Sequence, residues 1–286
     1  NRAGVRLRTG RTQVIALALP TETHVMNHTA QLIYSISDAL RDTPYHLIVA
    51  PYASTDDPMQ TVRYIVETQS ADGIIINQVL PEDPRVKYLA THDFPFATHG
   101  RTELGFEHCY YDYDNAMFGE MAVDELAARG RKHIAFLAPP AKQSYGVHMR
   151  EGAEKAAARH GLVLEVFEGI DSDAAMPAIG AVFFDRFSQD APPDGVIIGA
   201  ASAALAAVAS IERAGMTPGV HYDLVAKEAV DFLNLVNRDL IVFTENVSNA
   251  GAFLAHGLID VIEGKGDIRQ GLDKPERVTG QRSDND

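Results

Sequence analysis

His24 and His28 stand four residues apart, a spacing that puts two imidazoles on one face of a helix and lets them share a zinc ion. No third ligand accompanies them, and Pro20 to His24 reads as loop, which breaks the register. Other reactive constellations fail as well. The stretch Pro20-Thr21-Glu22-Thr23 has no glycine, so neither a dinucleotide fingerprint nor a phosphate-cradling loop forms there. H-E-x-x-H, C-x-x-C and G-x-S-x-G are missing too. The sequence therefore gives no grounds for catalysis, a cofactor or a resident metal. It does carry polar residues where apolar runs end. Such groups can fix the orientation of a small molecule in an otherwise apolar pocket.

The elements that hold those ends alternate regularly. Val14 to Leu19 is a continuous apolar run closed by Pro20, which suits a strand buried on both faces. Met26 to Leu40 has helical spacing at Leu32, Ile33, Ile36 and Leu40. His46 to Ala50 predicts a second strand. Asp57-Pro58 starts a helix that continues through Gln69, with Asp as cap and Pro in the first position. Gly73 to Ile76, closed by Asn77, and Pro95 to Thr98 predict two more strands. Tyr111 to Leu137 reads as strand, acidic turn, helix, glycine stop, strand. Asp114 or Asn115 can cap that helix, Phe118, Ala122 and Leu126 give it an apolar face beside Met117 and Met121, and Gly130 stops it.

The alternation restarts after Leu137. A helix over Ser144 to His160 stops at Gly161, and Val163 to Phe167 is a strand. Asp173 to Gln189 is helical, with interruptions expected at Pro177 and Gly180. Val196 to Ile198 is a strand, Ala201 to Ala214 an alanine-rich helix, and Asp223 to Ala226 and Leu240 to Thr244 are strands. Ser248 to Glu263 is a helix stopped by Gly264, and the polar tail holds one short strand near Arg277 to Thr279. This pattern predicts an α/β protein of two similar halves, each a doubly wound parallel sheet. Such sheets bind ligands outside the carboxyl ends of their strands, so two facing lobes would hold a ligand in the cleft between them and close by hinge motion.

Composition narrows the function classes. The 286 residues, 46% of them hydrophobic, suffice for two medium α/β domains without disulfides, and the single Cys109 favours a reducing, cytoplasmic setting. No apolar run approaches the roughly 20 residues that span a bilayer, so no membrane partner is expected. The chain reads without a signal peptide, and because it starts at Asn1 an upstream segment is expected. A net charge of −14 makes the bulk of the chain a poor nucleic-acid binder. Yet Arg2, Arg6, Arg8 and Arg11 all precede the first acid, Glu22.

Two stretches carry a resemblance. Asp114-Asn115, Gly119 four residues after the Asn, and Gly130-Arg131-Lys132-His133-Ile134-Ala135-Phe136 after the helix are similar to the lactose-repressor (LacI/GalR) family. They match the place where its sugar-sensing domain passes from first to second lobe. Asn1, Gly4, Leu7, Arg8, Thr9, Gly10, Arg11 and Thr12 match the register that follows the family's DNA-reading head. The resemblance covers essentially the whole chain. It implies a periplasmic-binding-protein-like core of a bacterial transcription regulator, lacking its helix-turn-helix, with crossovers near Asp114, Glu245 and Asp267. The implied map is a hinge remnant over 1–13, a first lobe of 14–114 and 245–267, a second lobe of 115–244 and 268–280, and a tail of 281–286. It also implies a homodimer through first-lobe helices such as Asn27 to Arg41 and the helix after Asp57, and operator DNA bound through the absent domain.

The family's ligand contacts fall here on Glu22, Thr23, His24 and Met26 after the first strand, Tyr52 after the second and Asn77 after the third. His99 follows the fourth. The family's Asp-Arg pair becomes Gly100-Arg101, with the carboxylate gone. Tyr111 sits where an aromatic flanks the ring, or else packs in the hinge. In the second lobe the family's ring-gripping arginine aligns with Met149, flanked by His148 and Arg150. Its Asn-Asp pair falls on Ala200-Ala201 beside Ser202. "V-G-[FY]-D" reads Val225-Ala226-Lys227-Glu228, with Glu228 as hydroxyl acceptor, and Glu245 stands at a common polar position. Lys227 and Glu228 could instead pair without touching ligand. The resemblance thus implies a sugar, polyol or derivative as effector. The rival readings are a periplasmic sugar-binding protein of a transporter and an enzyme on the same fold.

Overall fold

The computed structural model describes residues 10–20, 26–53, 57–229, 232–236 and 239–278. Glu22, Thr23 and His24 lie outside them, as do Arg2, Arg6, Arg8, Thr279 and the 281–286 tail. The chain divides into two compact units, Asn1–Asp112 with Asn246–Asp273, and Tyr113–Glu245 with Lys274–Asp286. The third crossing therefore falls beyond Asp267.

The first unit holds β1 (Val14–Pro20), α1 (Met26–Ala39), β2 (His46–Tyr52), α2 (Pro58–Thr68), β3 (Gly73–Ile76), α3 (Pro84–Thr91), β4 (Phe96–His99) and β5 (Cys109–Tyr113), the last running into the crossing. The second holds α4 (Asn115–Ala128), β6 (His133–Leu137), α5 (Ser144–His160), β7 (Val163–Val166), α6 (Met176–Phe187), β8 (Gly195–Ile198), α7 (Ala201–Arg213), β9 (Asp223–Glu228), α8 (Leu233–Val236) and β10 (Ile241–Thr244). The chain then returns to the first unit with α9 (Val247–Glu263) and β11 (Gln270–Asp273), and ends in the second with β12 (Glu276–Arg277).

The two sheets are wound alike, β11-β5-β4-β3-β1-β2 and β12-β10-β9-β8-β6-β7. Every strand pair from β2 to β5 and from β7 to β10 is parallel, and β12 runs antiparallel to β10. This is the predicted doubly wound α/β architecture. In each sheet the strand order reverses once, between β1 and β3 and between β6 and β8, and such reversals open a crevice at the carboxyl ends.

The same local devices recur in both units. Asp72 precedes β3 and accepts from Thr12 N and Gln13 N, each at 2.7 Å. Asp194 precedes β8 and accepts from Lys132 N at 2.9 Å and His133 N at 2.8 Å. Each carboxylate ties one central strand to the start of its neighbour, and each is followed by a glycine where a Cβ would crowd a packed helix, Ile262 against Gly73 and Leu126 against Gly195. β1 is buried along its whole length, as its unbroken apolar run demands.

Helix starts follow the sequence. Asp57 caps α2 by accepting from Met59 N at 2.9 Å. The same Asp-Pro signal at Asp83-Pro84 starts α3, a helix additional to those expected from sequence. Asp114, rather than Asn115, caps α4 through Met117 N at 3.0 Å. Pro177 lies in the first turn of α6, where its missing N–H costs nothing, so that helix is uninterrupted but shorter than expected. Gly180 lets α6 approach α7, since a Cβ there would stand 2.7 Å from Ser210 Oγ.

Candidate functional site

At the carboxyl end of the first sheet, Asn77 leaves β3 and His99 ends β4. His99 Nδ1 and Asn77 Oδ1 stand 3.0 Å apart, and His28, in the first turn of α1, stacks on His99 with ring centroids 5.2 Å apart. Three neighbouring ends thus meet through polar side chains. His28 was notable in the sequence only as half of a metal spacing; here its ring lies against that of His99. The side chain of Met26, which opens α1, lies outside the described residues.

Tyr52 ends β2, and its hydroxyl accepts from Arg85 Nη1 at 2.8 Å. Arg85 also donates to Gln78 O at 2.9 Å, and its remaining contacts go to the buried Asp83. Burial works against the Arg85 charge, but the Asp83 carboxylate outweighs it, so its pKa is raised.

Arg101 has a carboxylate after all. Asp112 on β5 accepts from Arg101 Nε at 2.6 Å, replacing the acid that sequence position alone suggested was lost. The glycine before it has a steric reason: Gly100 has φ +111° and a Cβ there would meet Val79 Cγ2 at 2.8 Å. Tyr111 packs within its own unit, 5.1 Å from the Phe253 ring, with Gly271 leaving room for its edge.

In the second unit Lys227 is the centre of a compact cluster. Its Nζ lies 2.6 Å from Glu245 Oε2, 3.2 Å from Asn115 Oδ1 and 4.7 Å from the centre of the Tyr113 ring. Asn115 is held in turn by donating to Tyr113 O at 2.9 Å. Glu245 N donates to Glu228 O at 2.9 Å, so the pair sits on adjacent strand ends. Glu228 is buried, and its Oε2 accepts from Phe232 N at 3.2 Å and Leu233 N at 3.0 Å. That oxygen therefore organises the start of α8. Lys227 pairs with Glu245, not with Glu228.

The other second-unit candidates lie at the starts of α5 and α7. Arg150 turns along α5 to Glu154 at 2.7 Å, an exposed i,i+4 pair. His148 lies in the second turn of α5, partly buried, and Ser202 opens α7. Met149 is fully buried, and a Cβ on Gly199 would come within 2.8 Å of its Cε. It fills space beside Gly199 at the end of β8, next to the strand-order reversal. Tyr145 was not singled out from sequence. Its hydroxyl donates to Asp173 Oδ2 at 3.2 Å, and burial together with the Asp173, Asp171 and Glu245 charges holds its pKa well above the ordinary value. It is a neutral donor at physiological pH.

Asp112, Tyr113, Asn115 and the Asp83–Arg85 pair were also missed as site-forming residues. Asp83-Pro84 was legible as a cap, but the partnerships of Asp112 and Asn115 depend on strands that meet only after folding.

Residues 123–276 match the family described as Periplasmic binding protein-like domain. The chain is 27% identical over 277 residues to the HTH-type transcriptional regulator AglR of Rhizobium meliloti, covering 93% of this chain and 76% of that protein. It is 32% identical over 159 residues to the HTH-type transcriptional regulator RafR of Escherichia coli, covering 55% of this chain and 47% of that one. Among solved structures, the transcriptional regulator CelR in complex with cellobiose superposes with a TM-score of 0.80 at 18% identity, covering 97% of this chain and 88% of that one.

Proposed function

Because this chain belongs to the periplasmic binding protein-like domain family, we propose that it is the ligand-sensing part of a LacI-type bacterial transcription regulator. In this reading the carboxyl strand ends of its lobes bind a sugar or sugar-like effector, and binding is relayed to a DNA-reading segment outside the chain. The observation that carries the proposal is the likeness to AglR along 93% of this chain. The cellobiose held by CelR supports a saccharide as the effector class. The relatives are transcription regulators rather than transport receptors or enzymes, which favours a cytoplasmic, non-catalytic protein.

The mechanism is linkage. An effector that prefers one arrangement of the core shifts operator affinity by the same factor that DNA shifts effector affinity, a coupling typically worth about 1–3 kcal/mol. Homodimerisation through α1 and α2 would set two heads at a fixed half-site spacing.

A thermal-shift screen of the chain against mono- and disaccharides, polyols and sugar acids tests the reading. A ligand at one hundred times its dissociation constant adds about 2.7 kcal/mol of stability. Arg101→Ala and Glu228→Ala are each expected to abolish that gain. Unchanged affinity in both variants removes the site assignment, and a silent panel removes the proposal.

A further inference from the structure

Lys227, Arg101 and Arg85 are each already matched by a carboxylate inside their own unit. We infer that the effector is an uncharged saccharide, and that the Lys227–Glu245 pair sets the discrimination against phosphorylated and acidic sugars. This rests on the sugar-sensing reading above and adds the ligand's charge to it.

Lys227 has three N–H donors and three partners: the Glu245 carboxylate at 2.6 Å, the Asn115 carbonyl oxygen at 3.2 Å and the face of Tyr113 at 4.7 Å. An anionic group that approached Lys227 would meet the Glu245 carboxylate at almost the same point, in a place where little water screens the repulsion. Arg101 is in the same position, with Asp112 2.6 Å from its Nε. Arg85 is held by Asp83 and Tyr52. The other charges nearby deepen the negative field: Asp171 and Asp173 flank Tyr145 at the start of α5. Among the described residues Lys142 is a further cation near these ends, and it lies exposed on the loop between β6 and α5, where solvent weakens it. A site selective for phosphate or carboxylate needs the reverse, cationic donors whose charge is not already cancelled. Neutral hydroxyls can donate to carboxylate oxygens and accept from amide or tyrosine donors without unbalancing either pair.

Isothermal titration of the chain with cellobiose against cellobionate, and with maltose against phosphorylated maltose, tests the inference. The neutral member of a binding pair is expected to bind at least about tenfold more tightly, as like-charge juxtaposition requires. Glu245→Gln uncovers the Lys227 charge and is expected to shrink that ratio markedly. Asp112→Asn uncovers Arg101 and gives the same direction should the first variant fail to fold. A charged sugar that binds as tightly as its neutral partner, or a ratio that neither variant moves, overturns the inference and leaves sugar sensing standing. Silence from all four probes and from the wider panel removes sugar sensing itself, and this inference with it.

Discussion

Arg85 grips Asp83 at two points, Nε to Oδ1 at 3.0 Å and Nη2 to Oδ2 at 2.6 Å, with both side chains buried. Asp83 also accepts from Leu80 N at 3.0 Å and from Arg85 N at 2.9 Å. Through Tyr52 and Gln78 on the other side of Arg85, this pair ties the end of β2, the turn after β3 and the start of α3 into one polar unit.

Removing one partner strands the other's charge in the interior. Arg85→Met is therefore expected to destabilise the first unit by about 3–5 kcal/mol, the range for breaking a buried pair. Arg85→Lys should recover only part of that, because an ammonium cannot make the planar two-point contact. Urea unfolding measures both. A loss below about 1 kcal/mol in Arg85→Met would mean that the pair is solvated in solution, as exposed pairs are.

Much of the fold was legible because burial imposes period. β1 and β3 read as strands from unbroken apolar runs, and α2 and α4 announced themselves through Asp57 and Asp114. The site was legible only in part. The family resemblance offered Asn77, His99, Arg101, Lys227 and Glu245 as candidates, and each has a polar partner in the structure. Position could not say that Arg101 finds Asp112, which faces it only once β5 pairs with β4, or that Lys227 finds Asn115, which lies 112 residues earlier in the chain. Gly100 looked like a lost carboxylate from sequence. In the structure it is a backbone with φ +111° pressed against Val79.

His108 gives a pH dependence with a definite sign. Its ring is buried among Phe96, Phe106 and Tyr110, with Nε2 3.0 Å from Thr98 Oγ1. Burial lowers its pKa below the ordinary 6.5. The unfolded chain then binds the proton more readily, so this contribution to stability is complete above pH 6.5 and is lost as pH falls from there through the folded value. Unfolding free energies between neutral and mildly acidic pH should fall more steeply for the native chain than for His108→Gln. Parallel curves would assign the acid sensitivity to other groups.

The crossing of α4 and α5 depends on two glycines. A Cβ on Gly119 would stand 2.3 Å from Met149 O, and one on Gly152 would stand 2.0 Å from Ala116 O. Both clashes are with backbone, so no side-chain rotation relieves them. Gly119→Ala and Gly152→Ala should each cost about 1–3 kcal/mol, although alanine is the better helix former. The double variant should cost less than the sum of the singles, because the first substitution already separates the helices that the second would push apart. Melting of the three variants would reveal that coupling. Additive losses would place the two contacts on independent sites.

Dimerisation can be tested where its failure would not be mistaken for unfolding. Tyr34 on α1 and Tyr64 on α2 are each 64% exposed, while their helices bury other positions: Leu32 and Ile36 beside the first, Val62 and Ile65 beside the second. Each ring therefore lies on the outward face of a helix whose inward face is already packed. Single exposed rings are common on monomers, so exposure alone decides nothing, and the experiment must separate self-association from folding. Tyr34→Asp and Tyr64→Asp remove no buried contact and should change the stability of the isolated chain by less than about 0.5 kcal/mol. In a dimer built on α1 and α2, the same changes would bury two carboxylates without partners, and association should weaken by orders of magnitude. Light scattering across a concentration series reads the difference. A variant pair that still dimerises like the native chain would move the interface off these helices.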